Sequence, residues 1–152
     1  MKITEFLEPT AIVDDLVGST PQEVLTELCR PLTAATGVDT HHLADALLER
    51  ERLASTGVGD GLAIPHGRLP GLRGLVAGFG RSRAGVDFNA PDRKPAALFF
   101  TLFAPEGGRG HHLHALARIS RLFKDPGFRE SLLKAKDAAE MYQLMAAEDA
   151  KH

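Results

Sequence analysis

The 152 residues are 43% hydrophobic and 25% charged, the composition of one ordinary folded domain, and no apolar run approaches the ~20 residues that span a bilayer. A formal charge of −2 supplies no basic surplus for a phosphate backbone, so nucleic acid is not an expected partner. The lone Cys29 excludes an internal disulfide and any CxxC motif, and the Met1–Glu8 start lacks the basic opening and long apolar stretch of a signal peptide, so the cytoplasm is the expected compartment.

No repeat, low-complexity tract or linker interrupts the chain, and one folded unit is expected over about residues 3–147. Thr20-Pro21-Gln22-Glu23 reads as a capping box with proline at the first helical position, and Val24, Leu25, Leu28, Leu32 and Ala35 then recur at helical spacing up to Gly37. Asp39 caps a second helix whose apolar face carries Leu43, Ala46, Leu47 and Leu53. A glycine-broken loop, Ser55 to Gly61, follows. Short apolar or alternating runs then predict strands at Leu62–Pro65, Leu75–Phe79 and Ala96–Ala104, the last apolar at nearly every position, as a central strand covered on both faces is. Leu113, Leu116, Ala117, Ser120 and Phe123 mark one face of a helix ending near Asp125-Pro126, and two shorter helices close the chain, the last capped by Asp137 with Glu140 three residues on. Strands between helices at both ends imply an α/β domain, a layered sheet with helices on its faces, the strand order being left open.

The strongest chemical candidate is the run Thr56-Gly57-Val58-Gly59-Asp60-Gly61-Leu62-Ala63-Ile64-Pro65-His66-Gly67. His66 follows a short strand between a proline that fixes one backbone dihedral and a glycine that admits a close neighbour, and the glycines before it can turn N–H groups toward an anion. Imidazole is a nucleophile near neutral pH, because its ordinary pKa of about 6.5 leaves much of it with a free ring nitrogen. Taken alone, a histidine ending a strand in a loop is more often a bystander, and the glycines form no Walker motif, since no Gly-Lys-Ser/Thr follows.

A second concentration, Arg109-Gly110-His111-His112-Leu113-His114, opens the helix after the apolar strand. His111 and His114 share a helix face, whereas His112 points about 100° away from His111. If the strand delivers this helix start beside His66, its N–H groups and one histidine are placed to receive a phosphate. Zinc ligation by paired histidines is the rival, weakened by the lack of a carboxylate at a His-Glu-x-x-His spacing. His41-His42 reads as surface and Cys29 as core. Arg50 and Arg52 end the second helix just before the glycine loop; most such charge runs are solvated, but the planar fork of arginine suits a phosphoryl group, so one of the two is a candidate for the site.

The run Arg50-Glu51-Arg52-Leu53-Ala54-Ser55 into Thr56–Gly67 closely resembles the active-site signature of enzyme IIA proteins of the fructose and mannitol class of the bacterial phosphotransferase system. The likeness continues through His112-Leu113, Leu116-Ala117 and Leu122 to Leu132-Leu133 and Glu140-Met141-Tyr142, and so covers nearly the whole chain as one domain, 1–152. The Ile3-Thr4-Glu5-Phe6-Leu7 start and the Pro65-His66-Gly67-Arg68-Leu69 site look most like the nitrogen-regulatory branch, in which phosphorylation state is a signal and no sugar permease is fed.

The resemblance implies that His66 takes a phosphoryl group from the phosphohistidine of an HPr-type carrier and passes or displays it to a downstream regulatory protein or enzyme IIB. It carries the family's second active-site histidine onto His112 and its arginine onto Arg50; loop N–H groups at Thr56, Gly57, Gly59 and Gly67 would hold the phosphoryl oxygens. It implies a mixed sheet between helical layers, no metal and no cofactor, and assigns nothing to His111 or His114. A sugar-specific component, a binding module that never carries phosphate and a zinc hydrolase are the competing readings.

Overall fold

The computed structural model describes residues 1–107 and 110–152; Arg109 of the histidine-rich stretch lies outside them. In chain order the elements are β1 (Leu7–Val13), α1 (Pro21–Cys29), α2 (Thr33–Thr36), α3 (Thr40–Leu53), β2 (Gly57–Gly59), β3 (Leu62–Ala63), β4 (His66–Leu69), β5 (Val76–Val86), β6 (Ala96–Pro105), α4 (His111–Leu122), α5 (Pro126–Lys134) and α6 (Ala138–Ala150). The strands form one six-stranded mixed sheet, ordered β1-β5-β6-β3-β2, with β4 also paired to β6. β1 runs parallel to β5, β5 antiparallel to β6, and β3 and β4 both parallel to β6.

The central strand explains its own composition. Leu98, Phe100 and Leu102 of β6 enter a core built with Ile119, Leu122, Phe128, Leu132, Met141 and Met145 of α4–α6. Phe99 and Phe103, between them, enter the opposite core with Val24, Leu25, Leu28, Leu43 and Leu47 of α1 and α3. Both faces are therefore covered, and successive side chains find apolar surroundings on either side. Cys29 lies in the second core, where burial pushes its thiol up to about 12.

The expected helices are present, with local corrections. The Thr20 hydroxyl accepts from Glu23 N–H and the Glu23 carboxylate from Thr20 N–H, completing the capping box. The first helix stops at Cys29 instead of continuing to Gly37, because Pro31 lacks an N–H and its ring clashes with the preceding turn; a 3₁₀ turn and the short α2 follow, closed by Gly37 in the left-handed region (φ 70°). The apolar stripe predicted for α4 is rotated: Ala115, Arg118, Ile119 and Leu122 are buried, while Leu113 is 60% exposed. An arginine in the buried stripe is what an apolar count cannot anticipate.

Three strands, β1, β2 and β4, were not anticipated and one is longer than predicted. β1 carries Pro9 and a register break between Leu7 and Ile12, both tolerated because it is an edge strand. The loop predicted at Ser55–Gly61 contains β2, which pairs with β3 across the Asp60-Gly61 turn; both turn residues have positive φ (56° and 77°), the type I′ geometry that hairpins favour. β5 runs to Val86 through Arg81, whose side chain is fully buried. Its Nη1 donates to the Leu132, Leu133 and Ala135 carbonyls at the end of α5, and its Nε to Asp14 O at 3.0 Å. Arg81→Met is expected to lower stability by about 3 kcal/mol, because those buried carbonyls lose a charged donor, and urea unfolding reads the difference.

Candidate functional site

His66 opens β4, and it is not in a loop. The pairing of β3 and β4 with β6 keeps one register, Leu62 opposite Leu98 through His66 opposite Leu102, so residues 62–69 follow one line along β6. Pro65 fits that line because only its carbonyl is needed, accepting from Leu102 N–H at 2.9 Å. Leu62 and Ile64 lie in the α4–α6 core and Leu69 in the α1–α3 core, so alternation turns His66 and Arg68 toward α4 and Gly67 toward α3. Gly67 faces the Ala46 carbonyl, where a Cβ would stand 3.4 Å away, an ordinary contact; α3 thus packs against β4 and brings Arg50, one turn after Ala46, to the same place.

The result is a cavity of about 640 Å³ between α3, β4, the end of β6 and the start of α4. Arg50, His66, Gly67, Arg68 and His112 line it, and Leu53, 82% exposed, and Leu113 stand at its edge. The His66 Nδ1 lies 2.8 Å from the Ile64 carbonyl. A carbonyl only accepts, so Nδ1 carries the hydrogen, and neutral His66 presents a bare Nε2 lone pair. Burial holds His66 below the usual imidazole range; the Ile64 bond opposes this, while the Arg50 cation and His112 reinforce it and Glu51 opposes it.

His66 therefore keeps its neutral form, with a bare ring nitrogen, to lower pH than a free imidazole does. Its titration followed by NMR should show a midpoint below about 6.5, and Arg50→Gln, by removing a nearby cation, should raise that midpoint.

A bonded chain stands behind the histidine. The Glu51 carboxylate accepts from Thr56 N–H at 2.8 Å and Thr56 Oγ1 at 2.5 Å, the Thr56 carbonyl accepts from Ile64 N–H at 2.9 Å, and the Ile64 carbonyl holds His66. This corrects the expectation that Thr56, Gly57 and Gly59 present N–H groups to a phosphate. None of the three lines the cavity; the Thr56 N–H is spent on Glu51, the Gly57 N–H on Ser55 Oγ, and Gly57 and Gly59 form the outer strand of the hairpin. Thr56 supports the site from behind.

Of the other candidates, Arg50 lines the cavity with its Nη1 on the Ala54 carbonyl at 2.9 Å, while Arg52, His41, His42, His111 and His114 are exposed and outside it. Among the described residues no three His, Cys, Asp or Glu side chains converge as metal ligands, so the zinc reading finds no ligand set there. Arg68 was not singled out from the sequence. Its Nη2 stands 3.1 Å from His112 Nε2. A strand continuing through the proline would have shown it, since residues two apart share a face.

A site of two histidines and two arginines, built on a mixed sheet between helical layers and open to a partner, suits transfer of a phosphoryl group between proteins. Residues 5–148 match the family model for the phosphoenolpyruvate-dependent sugar phosphotransferase system, EIIA 2, and the chain belongs to that family. It is 39% identical over 146 residues to a nitrogen regulatory protein of Bradyrhizobium diazoefficiens, covering 96% of this chain and 95% of the relative. It is 37% identical over 137 residues to a fructose-specific EIIABC component of Bacillus subtilis, covering 90% of this chain and 22% of that longer protein. The crystal structure of the nitrogen regulatory protein IIA-Ntr of Neisseria meningitidis superposes with a TM-score of 0.86 at 36% identity, over 94% of this chain and 98% of that one. The resemblance read from the signature run and the α/β fold expected with it are both borne out.

Proposed function

We propose that the chain, acting as one unit over 1–152 in the cytoplasm, is a phosphocarrier whose His66 Nε2 accepts a phosphoryl group from an HPr-type carrier and whose phosphorylation state is read by a regulatory protein. The observation that carries this is the Nδ1 bond to Ile64, which points a bare, desolvated Nε2 into a cavity shared with Arg50 and His112. In the transfer, the Nε2 lone pair forms the new N–P bond as the donor's N–P bond breaks and its electron pair returns to the donor ring. With the donor's other ring nitrogen protonated, each imidazole keeps its own proton, and the His66 proton stays on Nδ1 against the Ile64 carbonyl. Arg50 and His112 offset the charge on the equatorial oxygens, and most of the catalysis is positioning.

EIIA-type proteins work between phosphocarriers and enzyme IIB partners, and the fructose-specific relative favours a second reading in which His66 passes its phosphoryl group to an enzyme IIB cysteine. Among the described residues no helix is long and apolar enough to cross a membrane. Incubation with phosphoenolpyruvate, enzyme I and HPr, followed by intact mass, tests the proposal. One acid-labile phosphate located on His66 supports it; none, with a competent carrier, leaves the binding-module reading. Rapid loss of that phosphate to an enzyme IIB cysteine favours the sugar-specific alternative.

A further inference from the structure

Arg68 is the cation of this cavity without an obvious task. It leaves the same strand face as His66, makes no ion pair among the described residues, and rests its Nη2 on a neutral acceptor, His112 Nε2, at 3.1 Å. A guanidinium only donates, so His112 Nε2 must be bare and its hydrogen must sit on Nδ1. That Nδ1 is shut off from solvent and has no hydrogen-bond partner among the described residues. The resting contact thus holds His112 in a tautomer whose N–H is buried and unsatisfied, which costs stability; once Arg68 lets go, the hydrogen can sit on Nε2 and find an acceptor, leaving only a bare acceptor nitrogen buried.

Resting on the phosphocarrier reading, we propose that phosphorylation of His66 moves the Arg68 guanidinium from His112 to the phosphoryl oxygens and switches His112 from its Nδ1–H to its Nε2–H tautomer, so that both side chains then donate to the phosphoryl group. The direction follows from charge: a guanidinium bonds an anionic oxygen more strongly than a neutral imidazole nitrogen, and its fork can take two oxygens at once. As Arg68 leaves, the released His112 ring turns so that Nδ1 reaches water and gives up its proton, and Nε2 takes one from water, so the charge of the ring is unchanged. The Nε2 that the guanidinium occupied becomes a donor, and the orphaned Nδ1–H disappears. His66 reports its state through the position of an arginine at the mouth of the cavity, where a partner meets it.

The ring nitrogens of ¹⁵N-labelled protein, observed by long-range nitrogen–proton NMR before and after phosphorylation from HPr, show the tautomer of His112 directly. The expected result is Nδ1–H in the resting protein and Nε2–H in the phosphoprotein. Arg68→Met, an exposed position whose folding is checked by the amide spectrum, should show Nε2–H already at rest and accept phosphate about 10–100-fold more slowly. Arg68→Lys, which keeps a charged donor, should restore most of the rate. A wild-type protein that takes phosphate while His112 keeps one tautomer, or an Arg68→Met protein as fast as wild type, overturns this proposal alone. A wild-type protein that takes no phosphate from a competent carrier overturns the phosphocarrier reading and this proposal with it.

Discussion

His66→Gln removes phosphoryl acceptance completely while leaving the fold intact. No other side chain in the cavity replaces it, because His112 has its Nε2 against Arg68 and its Nδ1 shut off from solvent. The substitution is mild for the structure: His66 is only partly buried, and a glutamine amide can still donate toward the Ile64 carbonyl. Unfolding midpoints should therefore stay close to wild type while the phosphoprotein disappears from the mass spectrum. His112→Ala should give a different result, slower acceptance by about 100-fold with the phosphate still on His66, as expected when one preorganised donor to a developing charge is lost. A phosphate that persists in His66→Gln would move the acceptor to another residue and sink the assignment.

The largest effect on stability is expected outside the cavity. Asp149 on α6 is 1% exposed, and its Oδ1 accepts from Arg118 Nε at 3.0 Å and Nη2 at 2.6 Å. Its Oδ2 accepts from Thr4 N–H at 3.2 Å, and its carbonyl from Arg118 Nη2 and Lys2 Nζ, both at 2.9 Å. One carboxylate thus ties the chain start, α4 and α6 together. Asp149→Ala strands the Arg118 guanidinium in the core and should lower stability by about 3–5 kcal/mol, a drop in melting temperature of about 6–20 °C for a chain of this size. The double substitution Arg118→Met with Asp149→Leu should recover much of the loss, since apolar side chains can replace a buried pair at little net cost. A loss below about 1 kcal/mol for the single substitution would mean that the pair behaves as a surface one.

Much of the site was legible because the signals are contiguous. Arg50 and His66 lie 16 residues apart in one run, and that run carried the family resemblance on which their roles and that of His112 were expected. Helix starts were legible for the same reason: Thr20, Asp39 and Asp137 each act on an N–H group three residues away. Less local features were misread. Asp60-Gly61 is a hairpin signal in the sequence, but the flanking glycines hid β2, the first of the two short strands it joins. Thr56 was taken for an anion binder because a glycine loop suggests free N–H groups, whereas its donors are consumed by Glu51 once α3 ends beside it.

The sequence by itself determined the class of protein, the helices with their caps, the central strand and the histidine proposed to carry the chemistry, because each rests on residues near one another in the chain. Only the tertiary structure decided which His66 nitrogen is free, that Arg68 rests on His112, and that Arg81, Arg118 and Asp149 belong inside. Those depend on partners distant in sequence. A charged residue in a one-dimensional pattern reads as surface until the fold supplies the carbonyl or counter-charge that makes its burial favourable.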